Sequence, residues 1–220
     1  MDALTPRRVG IATAVVLFAI LIVVLGWAIP PRSAVISSDR LGPESSEPVG
    51  HYLERARTSL QGTDSGGHWA LLTFSEGITA DRIPEFNGGL RISEVDYHVA
   101  VDRVATPIIG IGVPAGDAVA VASVKSAAAQ MDSTPTFDDR STRVKNLVAG
   151  RLRANCACVV ALVLHGTLDQ LRTLAAHPGV RAVEALPADA SADVFAVSPL
   201  LPEQLESAGP PSDDGPVPDN

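Results

Sequence analysis

The sequence predicts an α+β domain carried on an N-terminal transmembrane helix. Three observations predict it. A charge-free apolar run lies near the start, a strand–helix–strand pattern occurs twice, and a stretch of helical periodicity separates the two copies.

Val9–Ile29 is 21 residues without a charge (VGIATAVVLFAILIVVLGWAI). At about 1.5 Å per residue, a helix of that length crosses roughly 30 Å, the thickness of a hydrocarbon core. Only a helix satisfies its own backbone there. Arg7 and Arg8 precede the run, and Pro30-Pro31 with a lone Arg32 follow it. Residues 1–8 are therefore expected in the cytoplasm and the remainder outside. Trp27 falls where an amphipathic ring suits the headgroup boundary. A cleaved signal peptide is the rival reading. Its apolar region is shorter, about 7–15 residues, and needs a small-x-small site that Trp-Ala-Ile-Pro-Pro does not offer.

Composition narrows the rest. The chain has 220 residues and a formal net charge of −8, so it lacks the clustered cations that neutralise phosphates, and no nucleic-acid partner is expected. Residues 1–30 carry +1, leaving −9 outside, which anionic headgroups repel. Contact with the bilayer is expected through Val9–Ile29. Two cysteines cannot form a disulfide framework. Aromatics at 4 % leave the core to Val, Leu, Ile and Ala. Arginine outnumbers lysine 15 to 2, and alanine and valine are abundant. That bias is typical of a GC-rich bacterial genome and favours a bacterial plasma membrane with an extracytoplasmic domain.

Residues 30–48 read as a linker of Pro, Ser and charges. A domain is expected over 49–200. It opens with a helix marked by Val49, Tyr52, Leu53, Ala56 and Leu60 at helical spacing. The first strand–helix–strand unit covers 68–101 and the second 156–187. Gly89, Arg91 and Glu94 of the first recur 90 residues later as Gly179, Arg181 and Glu184. In the second unit Thr167-Leu-Asp-Gln170 has the form of a capping box, and His177-Pro-Gly179 ends the helix. Pro84 shortens the equivalent helix of the first unit.

Two such units predict a ferredoxin-like α/β sandwich. Central strands should be continuous apolar runs, as Leu71-Leu72 and Val159–Leu164 are; edge strands should be mixed, as Arg91–His98 and Val180–Glu184 are. Between the units, 106–153 reads as a helical insertion with helices over Asp117–Gln130 and Asp138–Arg153. The Gly- and Pro-broken stretch Thr106–Pro114 is not assigned. Residues 206–220 read as a disordered acidic, Pro-rich tail.

The stretch Val159–Leu186, with its GTLDQLRTLAAHPGVRAVEALP, resembles the second half of the inhibitor-like propeptides of subtilisin-type proteases. That resemblance implies a ferredoxin-like domain that masks or assists a protease. In layout and composition the whole chain resembles the membrane-anchored envelope proteins of actinobacteria.

Few residues suggest chemistry. Thr63-Asp-Ser-Gly-Gly67 resembles the serine-nucleophile motif of chymotrypsin-like proteases, and Leu174-Ala-Ala-His177 their histidine motif. That family runs His, Asp, Ser along the chain, whereas Ser65 here comes first. Cys156-Ala-Cys158 is the sole cysteine pair. In a strand both thiols would share a face with Val160, Leu162 and Leu164, and three readings stay open: buried small hydrophobes, a strained disulfide, or metal ligands. His98 between Asp96 and Asp102 reads as an exposed strand histidine, and Asp138-Asp139 as first-turn acids of a helix. No phosphate-binding loop, dinucleotide fingerprint, zinc-protease motif or EF-hand spacing is present, so no catalytic residue, cofactor or metal ligand is expected. The expected function is a non-catalytic, membrane-anchored module that binds a protein partner or acts as an accessory or regulator. The alternatives are an inhibitor of an envelope protease, or a hydrolase using Ser65.

Overall fold

The computed structural model describes residues 39–191 and 194–218, together with Val16 and Phe18. The expected span Val9–Ile29 thus lies outside the described residues, apart from those two. Both are helical, Val16 57 % and Phe18 64 % exposed. Among the described residues no helix is long and apolar enough to cross a membrane. The chain divides into Met1–Ile36 and a second unit, Ser37–Asn220.

The second unit is mixed α+β. Its elements are β1 (Arg40–Leu41), β2 (Glu47–Pro48), α1 (Val49–Ser59), β3 (His68–Ile78), α2 (Ile83–Phe86), β4 (Arg91–His98) and β5 (Ile108–Gly112). They continue with α3 (Asp117–Ser133), α4 (Asp139–Arg153), β6 (Val159–Gly166), α5 (Leu168–Ala175), β7 (Val180–Ala185), β8 (Ala196–Val197) and β9 (Ser207–Ala208). Five strands form one antiparallel sheet in the order β5-β4-β6-β3-β7. β3 and β6, which open the two repeated units, lie side by side within it.

Strand alternation assigns the two faces. Leu72 and Phe74 of β3, Val95 and Tyr97 of β4, and Leu162 and Leu164 of β6 face the helices, packing with Ile83, Met131, Leu152 and Leu171. Leu71, Ala161 and Val163 face the other way and meet Leu41, Leu186, Phe195 and Val197. Both faces of β3 and β6 are therefore buried, which is why these strands read as unbroken apolar runs.

Helix ends follow local chemistry. Thr167 caps α5: its Oγ1 accepts the Gln170 amide, and Gln170 Oε1 accepts the Thr167 amide at 2.9 Å. Asp138 is the N-cap of α4, accepting the Ser141 amide at 2.8 Å, while Asp139 occupies the first turn.

Four expectations are corrected. First, β4 is not an edge strand, because β5 pairs along its outer side; the expected helical insertion 106–153 thus begins as a strand. Glycines suit β5, since a Cβ on Gly110 would overlap the Glu94 carboxylate. Second, part of the expected linker 30–48 is seated: Leu41 is fully buried, and β1 and β2 pair with β8 and β9. Third, the expected disordered tail 206–220 carries β9, and its residues Asp213 and Asp214 pair with Arg140 and Arg103. Partners distant in sequence supply these contacts, so the tail's own composition does not reveal them. Fourth, Cys156 and Cys158 precede β6 and do not lie in it. The bend there brings their Cα atoms to 5.2 Å, and the two are joined as a disulfide.

Candidate functional site

The motif residues come apart in the fold. Ser65 is exposed in the loop before β3. Neighbouring His68 is buried, and both its ring nitrogens are engaged: Nε2 with Asp64 Oδ1 at 2.8 Å and Nδ1 with the Leu186 carbonyl at 2.7 Å. Two acceptors require two ring protons, so this is the geometry of an imidazolium. Burial alone would lower its pKa, but the Leu186 carbonyl and the Asp64 carboxylate outweigh that and raise it. Such a ring has no free nitrogen to take a proton from Ser65. His177 stands at the end of α5, bonded to the Pro178 carbonyl and edge-on to Phe86. Among the described residues no hydrogen bond joins Ser65 to either histidine. The structure does not assemble a serine–histidine pair.

His98 is buried, contrary to its reading as an exposed strand residue. Its Nε2 donates to Glu203 Oε1 at 2.7 Å, which holds the C-terminal segment against β4. On the edge strand β7, buried Glu184 accepts the Gly42 amide at 2.6 Å and pairs with Arg55, which also donates to Glu47 at 3.0 Å. Burial pushes the Glu184 carboxyl up, and the Gly42 amide and Arg55 pull against it. His98 and the Glu184–Arg55 pair thus fasten the two terminal segments over the sheet face that bears Leu71 and Val163.

Sequence reasoning missed a carboxyl pair on that face. Glu94 and Asp96 lie two apart on β4 and so project together. Asp96 is only 2 % exposed, and among the described residues its Oδ2 has no hydrogen-bond partner. Burial, then the charge of Glu94 and a hydrogen bond between the two, raise the Asp96 pKa well above the ordinary carboxyl range. Its surroundings therefore favour the neutral form of the Asp96 carboxyl. The Glu-x-Asp spacing on a strand is the signal that could have revealed this. Among the described residues no group of three or more His, Cys, Asp and Glu is placed to hold a metal ion.

Sequence reasoning also missed a groove on the insertion. A cavity of about 670 Å³ opens beside α3 and α4, walled by Val121, Ala122, Ala128 and Leu152 and rimmed by Lys125 and Arg153. α3 is apolar nearly all round. It buries Ala120, Ala127, Ala128 and Met131, yet Ala118, Val119 and Ala122 are exposed. A helix of that kind normally buries every face. Its run of alanines was the available signal. Phe137, in the turn between α3 and α4, is 94 % exposed. Comparison with known proteins finds no matching family model, no matching curated protein and no matching solved structure.

Proposed function

We propose that the chain is a single-pass, membrane-anchored protein-binding module whose domain lies outside a bacterial plasma membrane and docks a partner through the α3–α4 groove. Val9–Ile29 is the anchor in this reading, supported by its length, its lack of charge and the arginines before it. The domain is a ferredoxin-like sandwich with an added strand. The neighbouring positions of β3 and β6, with β4 and β7 flanking them, support that assignment.

One observation carries the docking surface: an apolar helix face that the described residues leave open. The sheet face bearing Leu71 and Val163 is covered by Leu41, Leu186 and Phe195, whereas the Ala118–Ala122 side of α3 has no such cover among the described residues. Lys125 stands on the groove's rim without an ion pair among the described residues, while Arg153 is matched by Asp132. The occupant that fits is a partner's amphipathic helix with small apolar residues on one face and a carboxylate facing Lys125. Anchoring concentrates the domain near other membrane proteins and so favours such contacts.

The test is photo-crosslinking in intact cells, with a reactive side chain at Ala122 or, as control, at Arg143 on α4. A discrete adduct at Ala122 alone, lost when Ala118 is replaced by Glu, is expected. Equal labelling at both positions, or no adduct, would overturn the reading. Protease shaving of a C-terminal tag on intact cells tests the orientation separately, and a protected tag would refute it.

A further inference from the structure

We propose that Cys156–Cys158 is a thiol–disulfide exchange site that acts on protein dithiols and disulfides. The pair is separated by two positions, so its ring encloses only Ala157. A cross-link this short removes little freedom from the unfolded chain, and stapling is a poor explanation for it. The loop is also held without the sulfurs. The Asn155 amide donates to the Leu152 carbonyl at 3.0 Å and the Cys156 amide to the Arg151 carbonyl at 3.2 Å. The Cys158 amide donates to the Cys156 carbonyl at 2.8 Å, the Cys158 carbonyl accepts the His98 amide at 2.8 Å, and Asn155 Nδ2 donates to Asp81 at 2.9 Å. Gly77 lets β3 approach this loop, since a Cβ there would overlap the Ala157 carbonyl. A scaffold so bonded keeps its shape whether the sulfurs are joined or free.

The two sulfurs differ in access. Cys158 is 5 % exposed and belongs to the core, whereas Cys156 lies at the surface, partly exposed. An incoming thiolate therefore reaches Cys156 first, and Cys158 is the shielded leaving group. Asn155, which lines the α3–α4 groove, immediately precedes Cys156 in sequence. The exchange itself needs only the two cysteines and stands whether or not the groove holds a permanent partner.

In the exchange, a thiolate of a reduced protein bonds to Cys156 Sγ, the Cys156–Cys158 bond breaks, and its electron pair leaves with Cys158 Sγ, which takes up a proton. The substrate's second thiolate then attacks its own sulfur in the mixed disulfide and releases Cys156 as a thiolate. The substrate loses two electrons and becomes a disulfide, and the chain becomes a dithiol. An external disulfide, such as glutathione disulfide, returns the chain to its oxidised form, and a disulfide substrate runs the sequence backwards.

The experiment uses the full chain in detergent, equilibrated in glutathione buffers and alkylated to count thiols. Reversible conversion of both cysteines, with the thermal midpoint nearly unchanged, is expected. With glutathione disulfide as the probe, Cys158→Ser, which frees Cys156, should form the mixed disulfide about tenfold faster than Cys156→Ser, which frees the buried thiol. Circular dichroism of both variants checks that they fold. The proposal is overturned if the disulfide resists glutathione until the chain unfolds, or if the two variants react at equal rates.

Discussion

The Gly42 amide donates to the buried Glu184 carboxylate at 2.6 Å across 142 positions of sequence. It ties the segment ahead of the first helix to an outer strand of the sheet, and Arg55 closes the same carboxylate from the side of α1. Gly42 has φ of +104°, and a Cβ there would overlap the Ser198 carbonyl. The close approach of two terminal segments and the polar contact beneath them both depend on this glycine.

Replacing Arg55 by Ala should destabilise the domain by roughly 2–3 kcal/mol. That is less than for a fully enclosed pair, because the Arg55 side chain is partly exposed while Glu184 is left buried without its cation. Urea unfolding at neutral pH measures this, and a midpoint equal to that of the parent chain would contradict it.

Asp96→Asn should stabilise the domain at neutral pH. The raised pKa means that the folded state retains a proton which the unfolded chain has lost. Stability therefore falls as pH rises from the ordinary carboxyl value through the folded pKa. A neutral amide of the same shape removes that cost, for a gain of about 1–3 kcal/mol at pH 7. Unfolding curves from pH 4 to 8 should show the variant's advantage growing with pH, and a constant offset would refute the raised Asp96 pKa.

His68 gives the same direction of pH dependence through a favourable charge. Its folded pKa is raised, so its contribution is fully present below the ordinary imidazole value and is lost as pH rises through the folded pKa. Comparing the parent chain with His68→Gln between pH 5 and 9 should show a stability gap that narrows at the alkaline end. Hydrogen exchange near Leu186, whose carbonyl the ring holds, should quicken over the same interval. Parallel stability curves would exclude an imidazolium at this position.

Thr167→Ala should cost about 1 kcal/mol by removing the side-chain acceptor at the start of α5. A circular-dichroism melt is sufficient to detect it. The result would also measure how much of that helix is specified locally, since Leu168, Leu171 and Leu174 remain in the core.

Sequence alone determined the parts with short-range causes. The capping box at Thr167, the α4 start at Asp138, the helix from Val49 and the two buried central strands are all legible, because turn chemistry and hydrophobic period act within a few residues. Tertiary structure alone decided which distant segments meet. β5 became a strand because β4 offered it a free edge, and Asp213 and Asp214 are seated by Arg140 and Arg103. The isolated strand histidine of the sequence became a buried clasp on Glu203. The Glu94–Asp96 pair and the open side of α3 likewise arise from what packs, or does not pack, around them. Local pattern encodes period and capping, but burial, and with it the raised pKa of Asp96 and the access to Cys156, is a property of neighbours that the chain order does not place side by side.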